Sequence, residues 1–195
     1  MGDLANAQSD DAPLANSKRS EAAAEAAAQI PEGRGDTIVN AAVTINKPVA
    51  EVFGFFRDFA NLPRFMENIE RIDVIDPQRS HWVVKAPAGG SVEWDARVTE
   101  EEADRLIAWT SEDGAEVPNS GRVEFRDAGT RGTVVTATIL YDPPGGVIGK
   151  VIAKMFQREP AIQARRDLRR FKQLLETGEI ATPAMNAKQF EEMGL

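Results

Sequence analysis

The alternation of apolar and polar residues predicts a strand-rich middle of the chain. Between residues 38 and 45, Val39, Ala41, Val43 and Ile45 alternate with polar or small residues, which is typical of a strand with one buried face. The same period of two recurs at 92–98, 122–126 and 135–141, separated by Gly, Pro and Asp turn signals. Strands this closely spaced are joined by hairpins, so the sheet is predicted to be antiparallel, with one face apolar and the other exposed and charged.

Helical periodicity precedes and follows these strands. Pro48 starts a helix in which Val49, Val52, Phe53 and Phe56 share one face. A second short helix, from Phe59 to Met66, is interrupted by Pro63, and a long helical stretch from Gly146 to Thr177 ends the core. A sheet with one apolar face must bury that face, so the sequence predicts an α+β domain whose last helix packs on the sheet and leaves an apolar cavity.

Pro160 divides the last helical stretch. The apolar residues before and after it point about 150–180° apart on one straight helix, at 3.6 residues per turn. We therefore expect a break or sharp kink between Gln157 and Pro160. The rear half would clamp the sheet, and the front half, 147–156, would be a mobile lid that exchanges its amide hydrogens faster.

Composition sets the domain limits and excludes several classes of protein. The 195 residues carry a net charge of −8 and no cysteine, which excludes disulfides and thiolate chemistry. We predict an acidic, disordered or partly helical tail at 1–35, a ligand-binding domain at 36–178 and a second tail at 179–195. A net charge of only −3 in the core argues against a nucleic-acid partner. Without an apolar signal segment or membrane span, the expected location is the cytoplasm.

Two segments carry a resemblance to a known family. Pro48-Val-Ala-Glu-Val-Phe53 with Asn61-Leu-Pro-Arg-Phe65, and Tyr141-Asp-Pro-Pro-Gly-Gly146 with the Asp167–Gly178 stretch, resemble START-like (SRPBCC) proteins of the bacterial polyketide cyclase/dehydrase type. The resemblance extends to the coenzyme-Q-binding START-like proteins and covers about residues 36–178. It implies a helix-grip fold, in which a curved antiparallel sheet wraps around a long C-terminal helix. It also implies an apolar ligand such as a lipid, a quinone or a polyketide.

Aromatic and apolar residues predicted to face inward form the candidate ligand site. They are Phe56, Trp82, Trp94, Trp109, Phe125, Tyr141, Ile148, Ile152, Met155 and Phe156. No cofactor is expected, and a chain with one histidine cannot build a multi-histidine metal site. The side chains predicted to face inward include no run of acids or bases, so we assign no catalytic residue.

Three functions remain open. A non-enzymatic carrier or chaperone of an apolar small molecule is favoured. The second alternative is a cyclase/dehydrase enzyme in which Tyr141 or His81 moves a proton. The third is an adaptor for a macromolecule, because the last helix carries a basic face of Arg165, Arg166, Arg169, Arg170 and Lys172. That face is most simply a solvated one, and the alternative is transient contact with an anionic membrane surface.

Overall fold

A computed structural model describes residues 21–85, 90–142 and 160–181. The helices are α1 (Glu21–Ala28), α2 (Val49–Arg57) and α3 (Pro160–Thr177), with short 3₁₀ helices at Phe59–Arg64 and Gly129–Arg131. The strands are β1 (Thr37–Ile45), β2 (Ile69–Val74), β3 (Arg79–Lys85), β4 (Ser91–Glu102), β5 (Leu106–Ser111), β6 (Asn119–Asp127) and β7 (Thr133–Tyr141). They form one antiparallel sheet in the order β1-β7-β6-β5-β4-β3-β2. The α+β class and the antiparallel sheet predicted from the sequence are confirmed.

The connections explain this strand order. After β1, helix α2 and the first 3₁₀ helix carry the chain to the far edge of the sheet, where β2 begins. The remaining strands then follow as neighbours until β7 pairs with β1, from Thr37 opposite Tyr141 to Ile45 opposite Thr133. Shifts of register between Ile69 and Arg71 and between Val98 and Glu100 mark β-bulges, which increase local twist.

An aromatic cluster joins the helices to the inner face of the sheet. The rings of Phe53 and Phe56 meet Phe125 of β6 nearly edge-on, at 5.4 and 5.7 Å between centroids. Phe65 stacks on Phe171 of α3 at 4.5 Å. Both Phe65 and Phe171 are at most 1% exposed, so α3 is anchored at its centre. The packing of the last helix on the sheet is the one that the sequence predicts, and it fits the helix-grip fold that the resemblance implies.

Helix α3 starts at Pro160 in the described part of the chain. The predicted helix from Gly146, the break before Pro160 and the lid at 147–156 fall in residues 143–159, outside those described. Within 21–85, 90–142 and 160–181, no helix is both long and apolar enough to cross a bilayer.

The outer face of the sheet is partly covered, which the sequence did not predict. Helix α1 contacts β1 and β7, and residues 29–35, here called the outer strap, run over the outer face of β5, β6 and β7. Ile30 is 6% exposed, and a methyl group at Gly33 would lie 3.0 Å from Leu140 Cδ1. Part of the predicted N-terminal tail therefore packs on the domain, and the face expected to be exposed is buried beneath it.

Candidate functional site

An apolar cavity of about 180 Å³ lies between the inner face of the sheet and α3. All seven strands contribute side chains to its wall, together with α2, the segment after the first 3₁₀ helix and α3. The wall is almost wholly aliphatic and aromatic. Its few polar members are Asn68, Asn119, Tyr141, Gln163 and Asp167.

Three tryptophans form an aligned series on this wall. Trp82 lies 6.3 Å from both Trp94 and Trp109, measured between ring centroids, and the planes differ by only 12° and 14°. The alignment follows from the sheet register, because Trp82 of β3 sits directly opposite Trp94 of β4. A series of near-parallel, polarisable ring faces suits a planar ligand that packs parallel to them.

The Trp109 ring depends on a glycine. Trp109 is opposite Gly121 in the β5–β6 pair, and a Cβ atom at Gly121 would lie 2.2 Å from Trp109 Cζ2. The indole therefore lies flat over the Gly121 backbone. A strand glycine here marks a close approach between a side chain and the main chain.

The indole N–H groups of this series differ in their partners. Trp82 Nε1 donates to Ser80 Oγ at 2.9 Å. Trp94 Nε1 is buried and has no acceptor within the described residues. A buried donor without a partner costs about 1–3 kcal/mol. The cavity wall therefore lacks a hydrogen-bond acceptor for the Trp94 N–H among the described residues.

Asp167 of α3 is the acidic side chain of the cavity wall and is 7% exposed. Its Oδ1 accepts hydrogen bonds from Gln163 Nε2 at 2.9 Å and from the Glu67 backbone N–H at 3.4 Å. Both of these bonds go to Oδ1, and Oδ2 is not among the fully enclosed, unpartnered side-chain atoms of residues 21–85, 90–142 and 160–181, so it faces open space. The protein thus holds Oδ1 in place, and Oδ2 is available for a hydrogen bond with a molecule in the cavity.

Burial raises the pKa of Asp167 to about 7, against the opposing effects of the Glu67 N–H, the Gln163 amide and the Arg170 charge. Near neutral pH the carboxyl group can therefore donate a hydrogen bond in one form and accept one in the other. Burial also raises the pKa of the Tyr141 phenol, which stays protonated at neutral pH.

His81 lies outside this cavity. Its Nδ1 is 2.8 Å from Asp95 Oδ1, and its Nε2 is 3.4 Å from Glu93 Oε2. The hydrogen bond with Asp95 raises the pKa of His81, and the smaller contribution of Glu93 acts in the same direction. The hydroxyl of Ser80, its sequence neighbour, accepts a hydrogen bond from the Trp82 N–H and none from His81. A proton-transfer role for His81 in the cavity has no geometric support.

The structure brings together half of the predicted ligand-site residues. Phe56, Trp82, Trp94, Trp109 and Tyr141 line the cavity. Phe125 does not line it, because its ring packs between Phe53 and Phe56 in the core. The remaining four, Ile148, Ile152, Met155 and Phe156, lie outside the described residues.

Sequence reasoning missed Asp167, together with Gln163 and Asn119 of the same wall. The prediction of a wall without acids or bases is wrong at Asp167. A signal was present, because Asp167 lies three residues after Ala164 and four before Phe171, within the apolar stripe of α3. A carboxyl group at such a position is one that the fold buries.

The basic face of α3 forms a separate surface groove, lined by Ile162, Arg165, Arg166, Arg169, Arg170 and Gln173. Arg170 Nε donates to the Phe65 carbonyl, and Arg166 lies 3.7 Å from Glu67. Both contacts tie the face to the domain. Membrane contact through this groove stays a prediction. In the described part of the chain, no three His, Asp or Glu side chains are grouped to hold a metal ion.

Comparisons with known proteins agree with this geometry. Residues 45–169 match the family model of polyketide cyclase / dehydrase and lipid transport. An uncharacterized 17.2 kDa protein of Streptomyces lincolnensis is 31% identical over 139 residues, covering 71% of this chain and 89% of that protein.

Solved structures give the same result. A protein of known crystal structure from Deinococcus radiodurans is 41% identical in sequence, with a TM-score of 0.60. The match covers 73% of this chain and 100% of that chain. A second, from Thermus thermophilus, is 20% identical with a TM-score of 0.60, covers 73% of this chain and 99% of its own, and supports the fold alone. The chain belongs to the polyketide cyclase/dehydrase and lipid transport family.

Proposed function

We propose that this protein is a carrier or chaperone that binds a compact apolar molecule between its sheet and α3. The observation that carries the proposal is the cavity, apolar on nearly all sides and bounded by three aligned indoles. Sites of this kind bury most of a ligand's surface and orient it with a few polar groups. The description of the family as polyketide cyclase/dehydrase and lipid transport is consistent with such a ligand.

The volume of the cavity limits the size of the ligand that it can hold. Drug-sized ligands occupy pockets of about 300–1,000 Å³. A space of about 180 Å³ is smaller than that range. It suits one or two fused rings, such as a quinone head group or a cyclised polyketide, better than a long acyl chain.

Native mass spectrometry of the protein purified from its own cells tests the proposal. We expect a co-purifying small apolar molecule. Ala164 lines the cavity from α3, so Ala164→Phe adds a ring there and should remove that molecule. Ala60→Phe places the same ring on an exposed turn and should retain it. The absence of any bound molecule, even after addition of aromatic ligands, would overturn the proposal.

A proton-transfer enzyme of the cyclase/dehydrase type is the second candidate, and Asp167 favours it. An acid with a pKa of about 7 inside an apolar cavity is suited to exchange protons with a substrate at neutral pH. Tyr141, whose phenol stays protonated at neutral pH, lies on the same wall. The co-purified molecule decides between the two roles: a carrier releases it unchanged, whereas an enzyme converts its precursor at a rate that Asp167→Asn abolishes.

A further inference from the structure

We propose that the ligand is a planar ring compound with an oxygen substituent at one end, that the ring packs on the tryptophan series, and that the substituent hydrogen-bonds Asp167 Oδ2. This inference rests on the proposed function and adds the polar half of the ligand. It identifies Asp167 as the residue that orients the ligand and distinguishes hydroxylated or carbonyl-bearing rings from plain hydrocarbons.

The hydrogen bonding of Asp167 is the first step of the argument. A carboxyl group 7% exposed in an apolar cavity is costly unless its oxygens have partners. Gln163 and the Glu67 N–H both bind Oδ1, so they hold the carboxyl plane in place without satisfying Oδ2. A ligand oxygen is the partner that this second position lacks.

The other charged groups near Asp167 do not supply that partner. Arg170, one turn further along α3, donates through Nε to the Phe65 carbonyl. Arg166 is exposed and lies beside Glu67. Lys85 Nζ donates to the carbonyl of Glu67, whose N–H binds Asp167, at 3.0 Å. The groups packed around Asp167 are thus engaged elsewhere.

The tryptophan series supplies the second, independent contact. Two stacked pairs at 6.3 Å give a series of near-parallel ring faces, and ring–ring contacts contribute about 0.5–1.5 kcal/mol beyond simple burial. Asp167 and the indoles line the same cavity of about 180 Å³, so one fused-ring molecule can reach both. The ring provides affinity, and the oxygen at Asp167 provides orientation.

Calorimetric titration with naphthalene and 2-naphthol, which differ by one hydroxyl group, tests the inference. We expect 2-naphthol to bind the wild-type protein about tenfold more tightly, the effect of one good hydrogen bond in a buried site. Asp167→Leu should remove or reverse that preference while naphthalene still binds. Asp167→Asn keeps a polar partner of the same shape and should retain most of the preference.

The outcomes separate the two proposals. If neither probe binds the wild-type protein, the proposed function fails, and the inference fails with it. If both bind and Asp167→Leu leaves their ratio unchanged, binding is real and the inference is overturned.

A measurement on the wild-type chain covers the case in which Asp167→Leu does not fold. The carboxyl ¹³C resonance of Asp167 should shift with saturating 2-naphthol much more than with saturating naphthalene. Equal shifts would overturn the inference.

Discussion

At the scale of single residues, the tryptophan wall depends on Gly121. Its backbone does not need positive φ, so Gly121→Ala acts through collision with Trp109 alone. We expect the free energy of unfolding to fall by about 1–3 kcal/mol, the usual cost of overpacking. Near-ultraviolet circular dichroism should change as the aligned indoles are displaced, and affinity for 2-naphthol should fall.

Gly54→Ala is the matched control for that prediction. Gly54 lies on the exposed side of α2, where an added Cβ atom meets nothing within 4 Å. Alanine is favoured over glycine inside a helix, so this variant should gain up to about 1 kcal/mol. If both variants lost stability equally, the Trp109–Gly121 contact would not explain the effect.

Residue patterns could predict some of the site and not the rest. Strand alternation placed Trp94 and Tyr141 on the inner face correctly, because the period of two is fixed by the backbone. Asp167 was missed because charged helix residues usually face water, whereas here the packing of α3 on the domain buries it. Its partners, Gln163 and the Glu67 N–H, come from two separate segments, so only the fold shows the hydrogen bonds.

At the scale of elements, the sheet and helices were predictable and the outer strap was not. An alanine-rich helix such as α1 has almost no apolar stripe to signal docking. The strap is held partly through its main chain: Arg34 N–H donates to Ser120 Oγ at 2.8 Å, and the Glu32 carbonyl accepts from Thr110. Backbone N–H and C=O groups are nearly the same in every residue, so hydrogen bonds made by the main chain cannot be predicted from the pattern of side chains.

We expect the strap to be part of the folding unit. Burial of Ile30 contributes about 1.5–3 kcal/mol and each strap hydrogen bond about 0.5–1.5 kcal/mol. Removal of residues 1–35 should therefore lower the free energy of unfolding by about 3–5 kcal/mol in urea denaturation. Removal of residues 1–20 keeps these contacts and serves as the control. Equal stability of the two truncated proteins would contradict the prediction.

At the scale of the whole molecule, three electrostatic contributions make the folded state more stable, relative to the unfolded state, as the pH falls. The folded pKa of Asp167 is about 7 against an ordinary 3.8, so burial of its ionised form destabilises the fold increasingly as pH rises between those values. His81 also has a raised pKa, so its contribution is present at low pH and is lost as pH rises through the folded pKa. The net charge of −8 adds self-repulsion that weakens toward acid pH.

All three contributions have the same sign, so the protein should be more stable at pH 5.5 than at pH 8. Asp167 alone accounts for about 2 kcal/mol of that difference, because its folded and unfolded forms differ by nearly one bound proton from pH 5.5 up to the folded pKa of about 7 and by almost none above it. Urea denaturation at the two pH values measures it.

In Asp167→Asn the difference should shrink by that amount, and the remaining slope should shrink further when His81→Gln is added. Glu70→Gln, which removes an exposed carboxyl group on β2, should keep the wild-type slope. An unchanged slope in Asp167→Asn would mean that Asp167 is ionised in the folded protein at both pH values. The cavity would then have to be more polar around Asp167 than its wall indicates.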